Sequence, residues 1–149
     1  MMYLIALIIF IAILLFSMVI CGVCITFLFD MISLLLILLS VIPMLFVSGM
    51  GKDLIRSFSV VLKKTDSLTS IQLKRCQAAL SLTIKLLICS GALFALVSLI
   101  AVLNLNPEYM FPNLAVALLP FVYSLVPCFL LLPVQAKITA KLINLEKDK

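Results

Sequence analysis

An all-α integral membrane fold with four transmembrane helices is the class this sequence predicts, on three observations. First, 66% of the 149 residues are hydrophobic and 11% are charged, whereas soluble domains run at roughly 45–50% apolar and about 25% charged. Second, residues 3–29, 31–50, 80–103 and 114–134 form apolar stretches, each long enough for a hydrocarbon core of about 30 Å, which takes about 20 helical residues. Third, apart from Lys85 near one end of the third stretch, the basic residues fall only in the segments that these stretches place on one side.

Spans one (3–29) and two (31–50) touch at Asp30, the only charge before Lys52, which predicts a tight helical hairpin with Asp30 at its tip. The first apolar run continues without a basic start or a small-residue cleavage site, so it is expected to remain attached as a span rather than act as a cleaved leader. After span two, Leu54, Ile55, Phe58, Val61 and Leu62 recur at helical spacing, with Lys52, Asp53, Arg56, Ser59 and Lys63 on the other face. That pattern predicts that span two runs on as an amphipathic helix at the headgroups. Following a break at 63–67, Thr69 stands as an N-cap with Gln72 three residues on and Leu68 and Leu73 at the staple positions. The third helix should therefore start near Thr69 and project two turns or more beyond the membrane before it becomes span three (80–103). Residues 51–79 make a small inner collar. Residues 104–113, with two prolines, three asparagines and Glu108, read as an outer loop; span four (114–134) and a tail (135–149) complete the single membrane domain.

The charges supply the topology. All 11 Lys and Arg lie in the collar, in the tail or near the inner end of span three, together with Asp53, Asp66, Glu146 and Asp148, while the opposite loops hold only Asp30 and Glu108. Short loops rich in Lys and Arg stay cytoplasmic, so both termini are expected inside. The basic segments are expected to set topology and to meet anionic lipid; no nucleic-acid role is expected.

Spans three and four carry the candidate functional residues. Gly91, Ala95 and Ser98 recur at i, i+4 and i+7, the small-residue spacing that lets helix backbones approach in lipid. In span four, Asn113, Ala117, Pro120, Ser124 and Pro127 share a stripe. Each proline removes a backbone donor and frees the carbonyl four residues earlier, Val116 or Tyr123, and freed groups at membrane depth need protein, hydroxyls or water beside them. Either these are structural kinks in a packed helix or the stripe lines a pore or seats a partner helix. Lys85 near the inner end of span three reads as a snorkelling lysine or as a functional membrane charge. Cys21-Gly-Val-Cys24 has the CxxC spacing, but with no His in the chain and no second such pair it lacks a four-ligand metal set. No catalytic, metal or cofactor site is expected, and no enzyme activity, because the spans offer no acid, base and nucleophile together.

Two stretches resemble the MotA/TolQ/ExbB proton-channel family. Asp30-Met-Ile-Ser-Leu-Leu-Leu-Ile-Leu, followed by Gly51-Lys-Asp-Leu-Ile-Arg-Ser-Phe58, is similar to the entry and exit of the second helix of MotA. Ala115-Val-Ala-Leu-Leu119, then Tyr123, then Leu132-Pro-Val-Gln-Ala-Lys137, resembles the family's last helix. The resemblance covers residues 25–142 and implies a short MotA-like protein of the bacterial cytoplasmic membrane. It implies a homo-oligomer, a pentamer in the family, whose third and fourth helices surround the membrane helix of a MotB- or ExbD-like single-span partner. An aspartate of that partner would carry the proton, and Ser98, Tyr123 and Ser124 would be the polar groups nearest its path. The chain departs from the family where paired threonines would stand, at Pro120-Phe121, and at Ser124, where glycine follows the tyrosine. In place of the large cytoplasmic domain of full-length MotA it has the collar. A non-conducting scaffold or regulatory subunit of the same fold, and a small four-helix transporter subunit, are the alternatives.

Overall fold

The computed structural model describes residues 2–20, 30–62 and 69–147. Among these, the chain forms six helices: α1 (Met2–Ile20), α2 (Met31–Val47), α3 (Gly51–Leu62), α4 (Ser70–Leu103), α5 (Pro107–Ala117) and α6 (Leu119–Lys147).

Helices α4 and α6 form the central antiparallel pair. On α4, Leu73, Leu80 and Leu87 are buried at a spacing of seven, and on α6 Leu131, Val134, Ile138 and Leu142 are buried opposite them. Seven-residue spacing keeps one seam of a helix turned toward its neighbour. Because α4 has 34 residues and α6 has 29, the pair is about 51 Å and 44 Å long. Residues 135–147, expected as a tail, are the last turns of α6. The physical reason is that Val134, Ile138 and Leu142 continue the same apolar stripe against the first turns of α4. Polar ties join there, with Gln77 Nε2 donating to Thr139 Oγ1 at 3.2 Å and Lys137 Nζ donating to the Val61 carbonyl at 3.3 Å.

Helix α2 buries a single stripe, Ser33, Ile37, Val41 and Leu45, which packs on α4 and α6. The rest of its surface is exposed and apolar, up to Phe46 at 76% and Val47 at 86%. A helix apolar on both its buried and its open faces is suited to lipid rather than water. It does not run straight on. Gly49 adopts φ 67°, the left-handed conformation that ends helices at glycine, and α3 leaves at 100° to α2. Across this bend α3 keeps the expected amphipathic pattern only in part. Val61 is buried and Lys52 and Arg56 are exposed as expected. Ile55, expected on the apolar face, is exposed, and Asp53, expected on the polar face, is buried with Ser57 and Val60, because the face turned to α4 is rotated toward Asp53.

The segment expected as the outer loop is largely helical. Only Asn104–Asn106 are non-helical, and α5 begins with Pro107 in its first turn and Asn106 in the cap position. Proline suits the first helical position, where its missing N–H has no intrahelical partner in any case. A break at Leu118, just before Pro120, separates α5 from α6. Helix α4 begins at Ser70 with Thr69 in the cap position, although its side chain makes no capping hydrogen bond; Leu68 lies outside the described residues.

Among the described residues two helices, α4 and α6, are long and apolar enough to cross a membrane, and the bent pair α2–α3 counts as a third if taken as one span. Helix α1 contributes the shorter apolar stretch Leu7–Ser17 and touches α6 through stacked rings of Phe10 and Phe129, 5.6 Å between centroids. The expected first span extends over 21–29, outside the described residues.

Candidate functional site

The small residues singled out in spans three and four meet each other inside the chain. Gly91 is buried against α6, and a Cβ placed on it would overlap the side chain of Ser124 and stand 3.1 Å from the Pro120 carbonyl. Ser124 is fully buried, and its hydroxyl donates to the Phe121 carbonyl at 2.7 Å. That bond removes the polar hydrogen locally, so the hydroxyl can sit against a glycine without an unmet donor. Pro120 is fully buried too, and Ala95 and Ala117 are nearly so. Five of the nine candidate residues are thus buried where α4 meets α5 and α6 of the same chain. The surface they would have offered to a pore or partner is occupied by their own chain.

The other four lie elsewhere. Ser98 and Pro127 are half-buried. Asn113 is exposed on α5, and its side-chain amide donates to the Tyr109 carbonyl at 2.8 Å. Tyr123 is half-buried, and its hydroxyl accepts the backbone N–H of Asp30 at 2.8 Å. Lys85 is exposed, ten residues along α4 from Arg75 and therefore about 15 Å further up the helix.

The Tyr123 contact opens onto a site that sequence reasoning missed. Asp30 caps α2, its carboxylate accepting from the Ile32 N–H at 3.2 Å and from the Ser33 hydroxyl. An acceptor side chain at this position satisfies one of the donors a helix start leaves open. The sequence carried the signal, since Asp-x-x-Ser places a capping carboxylate three residues before a hydroxyl. Asp30 is also not at an outer tip. Tyr123 adjoins the Ser124 that packs on Gly91, and α4 rises about 18 Å beyond Gly91 to Leu103. The carboxylate expected outside the spans therefore lies alongside them. Below it, α1, α2 and α6 enclose an open apolar groove of about 460 Å³, lined among others by Phe10, Leu14, Leu34, Ile37, Tyr123 and Pro127.

At the other end, Asp53 on α3 is buried and approaches Arg56 at 3.6 Å and Arg75 at 4.0 Å. The Ser57 hydroxyl, fully buried, donates to the Asp53 carbonyl at 2.7 Å. The basic residues at this end, Lys52, Arg56, Lys74, Arg75, Lys137, Lys141 and Lys147, occur on α3, the start of α4 and the end of α6. Among the described residues no group of His, Cys, Asp and Glu is placed to hold a metal ion.

No protein-family model matches the chain, and searches of curated proteins and of solved structures find no match either.

Proposed function

We propose that the chain is a MotA/ExbB-like subunit of an ion-driven, proton-powered membrane motor or energy-transducing channel. In this reading it crosses the bacterial cytoplasmic membrane four times, with both termini on the cytoplasmic side. It forms a ring, a pentamer by analogy, around the membrane helix of a MotB- or ExbD-like partner. The observation that carries the reading is the bond from Asp30 to Tyr123. The two stretches that resemble the family lie far apart in the chain, and one residue from each makes this contact.

Other features support the same reading. The long pair α4–α6 is flanked by α1 and α2 on one side, which leaves the opposite face of α4 open, with Lys85, Cys89, Leu93 and Leu96 exposed along it. A ring would turn that face toward neighbours or toward the partner. Lys85 is then the charge available to a partner carboxylate, because a lone ammonium in an apolar wall is stabilised chiefly by an opposing charge. Ser98, on the Gly91–Ala95 face of α4, and Tyr123, on the α2 side, are the hydroxyls left for a path away from Lys85, since Ser124 is closed against Gly91. The basic residues concentrated at the α3 end agree with an inside placement of that end.

Native mass spectrometry of the protein from mild detergent tests the assembly. A pentamer with one or two copies of a single-span protein is expected; a monomer or dimer alone overturns the ring. Proton flux in vesicles carrying both proteins should fall in Lys85→Gln and Ser98→Ala, and unchanged flux in both removes the path assignment.

A second reading, a non-conducting scaffold of the same fold, is favoured by one observation: the hydroxyl of Ser124, with Gly91 and Pro120, is consumed by packing within the subunit. A ring that assembles with its partner but passes no protons selects it.

A further inference from the structure

We propose that the elbow between α2 and α3 binds the headgroup of an anionic phospholipid. The proposal deepens the reading above, resting on the placement of the α3 end at the inner membrane surface. The apolar surface of α2 continues to its last residue, Val47, so the hydrocarbon boundary falls at the turn that follows. There the chain bends by 100° and leaves a cleft of about 390 Å³ between Ser48, Gly49, Met50 and Asp53 on one side and Ile71, Lys74, Arg75 and Ala78 of α4 on the other.

Three features of the cleft fit a phosphate-bearing headgroup. Lys74 and Arg75 bring two cations to its α4 wall, and Arg forms paired bonds to phosphate oxygens. The carboxylate on the opposite wall, Asp53, has Arg56 at 3.6 Å and Arg75 at 4.0 Å; with Lys74 beside Arg75, one carboxylate is set against three cations, and the surplus at the cleft is positive. Met50 and Asp53, at the start of α3, line the cleft, and the leading N–H groups of a helix have no partner within it, which favours an anion nearby. The space is also open at the backbone: a methyl group built on Gly49, which lines the cleft, would meet no atom within 4 Å. Above the cleft, Phe46 and Val47 are largely exposed and provide the apolar track along which acyl chains would lie. A free anion would use the cations but not this track. Continuity of a charged cleft with an apolar wall selects a lipid.

The experiment is native mass spectrometry of the full chain from detergent, titrated with phosphatidylglycerol and, separately, with phosphatidylcholine. The wild type should retain one phosphatidylglycerol in preference to phosphatidylcholine. Lys74→Gln/Arg75→Gln should lower that affinity roughly tenfold or more. Lys52→Gln/Lys147→Gln, which removes two charges from the same end of the molecule, should change it by about twofold at most. Ala78→Phe, which fills the cleft without altering charge, should displace the lipid and serves as the independent test if the double variant fails to fold. Equal losses in the two double variants, undiminished binding in Ala78→Phe, no preference for phosphatidylglycerol, or displacement by glycerol phosphate at matching concentration would each overturn the proposal. Lipid retention is read on whatever oligomer the protein forms and needs no ion flux. Failure of the channel reading would leave this result standing, and the reverse also holds.

Discussion

Under the membrane placement proposed above, the α4–α6 pair has an outer half around Gly91 and an inner half toward Ser70, and the two hold together by different means. At the outer half the contact is made by residues with almost no side chain, Gly91 against Ser124 and Pro120, with Ala95 and Ala117 close by. At the inner half it is made by large apolar side chains, Leu73, Leu80, Val134 and Ile138, all at most 2% exposed, and by side-chain hydrogen bonds. The solvent explains the contrast. In lipid, burying a leucine against another helix gains little because acyl chains are equally apolar, so close backbone approach has to supply the attraction. In water, burying apolar area is favourable at about 25 cal/mol per Å², which suits the larger side chains of Leu73 and Ile138 at the end where the proposed placement leaves the bilayer.

The sharpest way to break the comparison is Gly91→Leu. The new side chain meets Ser124 and a backbone carbonyl that cannot rotate away, so the folded helix pair should be lost or destabilised by more than about 3 kcal/mol. Thermal unfolding in micelles reads this directly. The smaller Gly91→Ala sharpens it: the variant should be destabilised and Gly91→Ala/Ser124→Gly should recover most of the loss, since the pair exchanges which partner carries the atom. Additive effects in that cycle would show that the two residues do not share one contact.

Next in size is the inner half. Ile138→Ala should lower stability by about 3 kcal/mol through the cavity it leaves, with helix content retained in α4. The loss should shrink if the collar were immersed in lipid, so the same measurement tests which solvent surrounds it. Tyr123→Phe removes the hydroxyl that accepts from Asp30 and should be worth about 1 kcal/mol. Faster hydrogen exchange at the start of α2, with α4 unaffected, is the expected signature. Smallest is Asp53→Asn. Its partners Arg56 and Arg75 are 47% and 73% exposed, and exposed pairs contribute at most about 1 kcal/mol. The effect should fade further in high salt; a large salt-independent loss would mean that Asp53 is sealed from water.

Sequence alone disclosed what depends on near neighbours. The start of α4 at Thr69, the amphipathic phase of Leu54, Phe58 and Val61, and the sorting of charges are all local patterns. The prolines misled in one place and informed in another: Pro107 reads as loop chemistry but begins α5, whereas Pro120 does accompany a break. The 100° turn at Gly49 was obscured because helical periodicity continues in phase on both sides of it. Least legible was the destination of the small-residue stripes. Spacing tells which residues of a helix share a face, yet it carries no information on whether that face meets a second copy, a partner or the next helix of its own chain. Gly91 and Ser124 are thirty-three positions apart, and only the antiparallel return of α6 brings them together.

The Gly91 crossing also divides α4 unequally. From Gly91 the helix reaches about 18 Å outward to Leu103 and about 31 Å inward to Ser70, with no break in either arm. A rod that tilts about its tightest contact moves its two ends in opposite directions and in proportion to their lengths. Were α4 to tilt about this contact, a displacement at its Leu103 end would reach its Ser70 end reversed in sign and enlarged by a factor of about 1.7, in the manner of a lever whose fulcrum is a single hydrogen atom where a side chain would be.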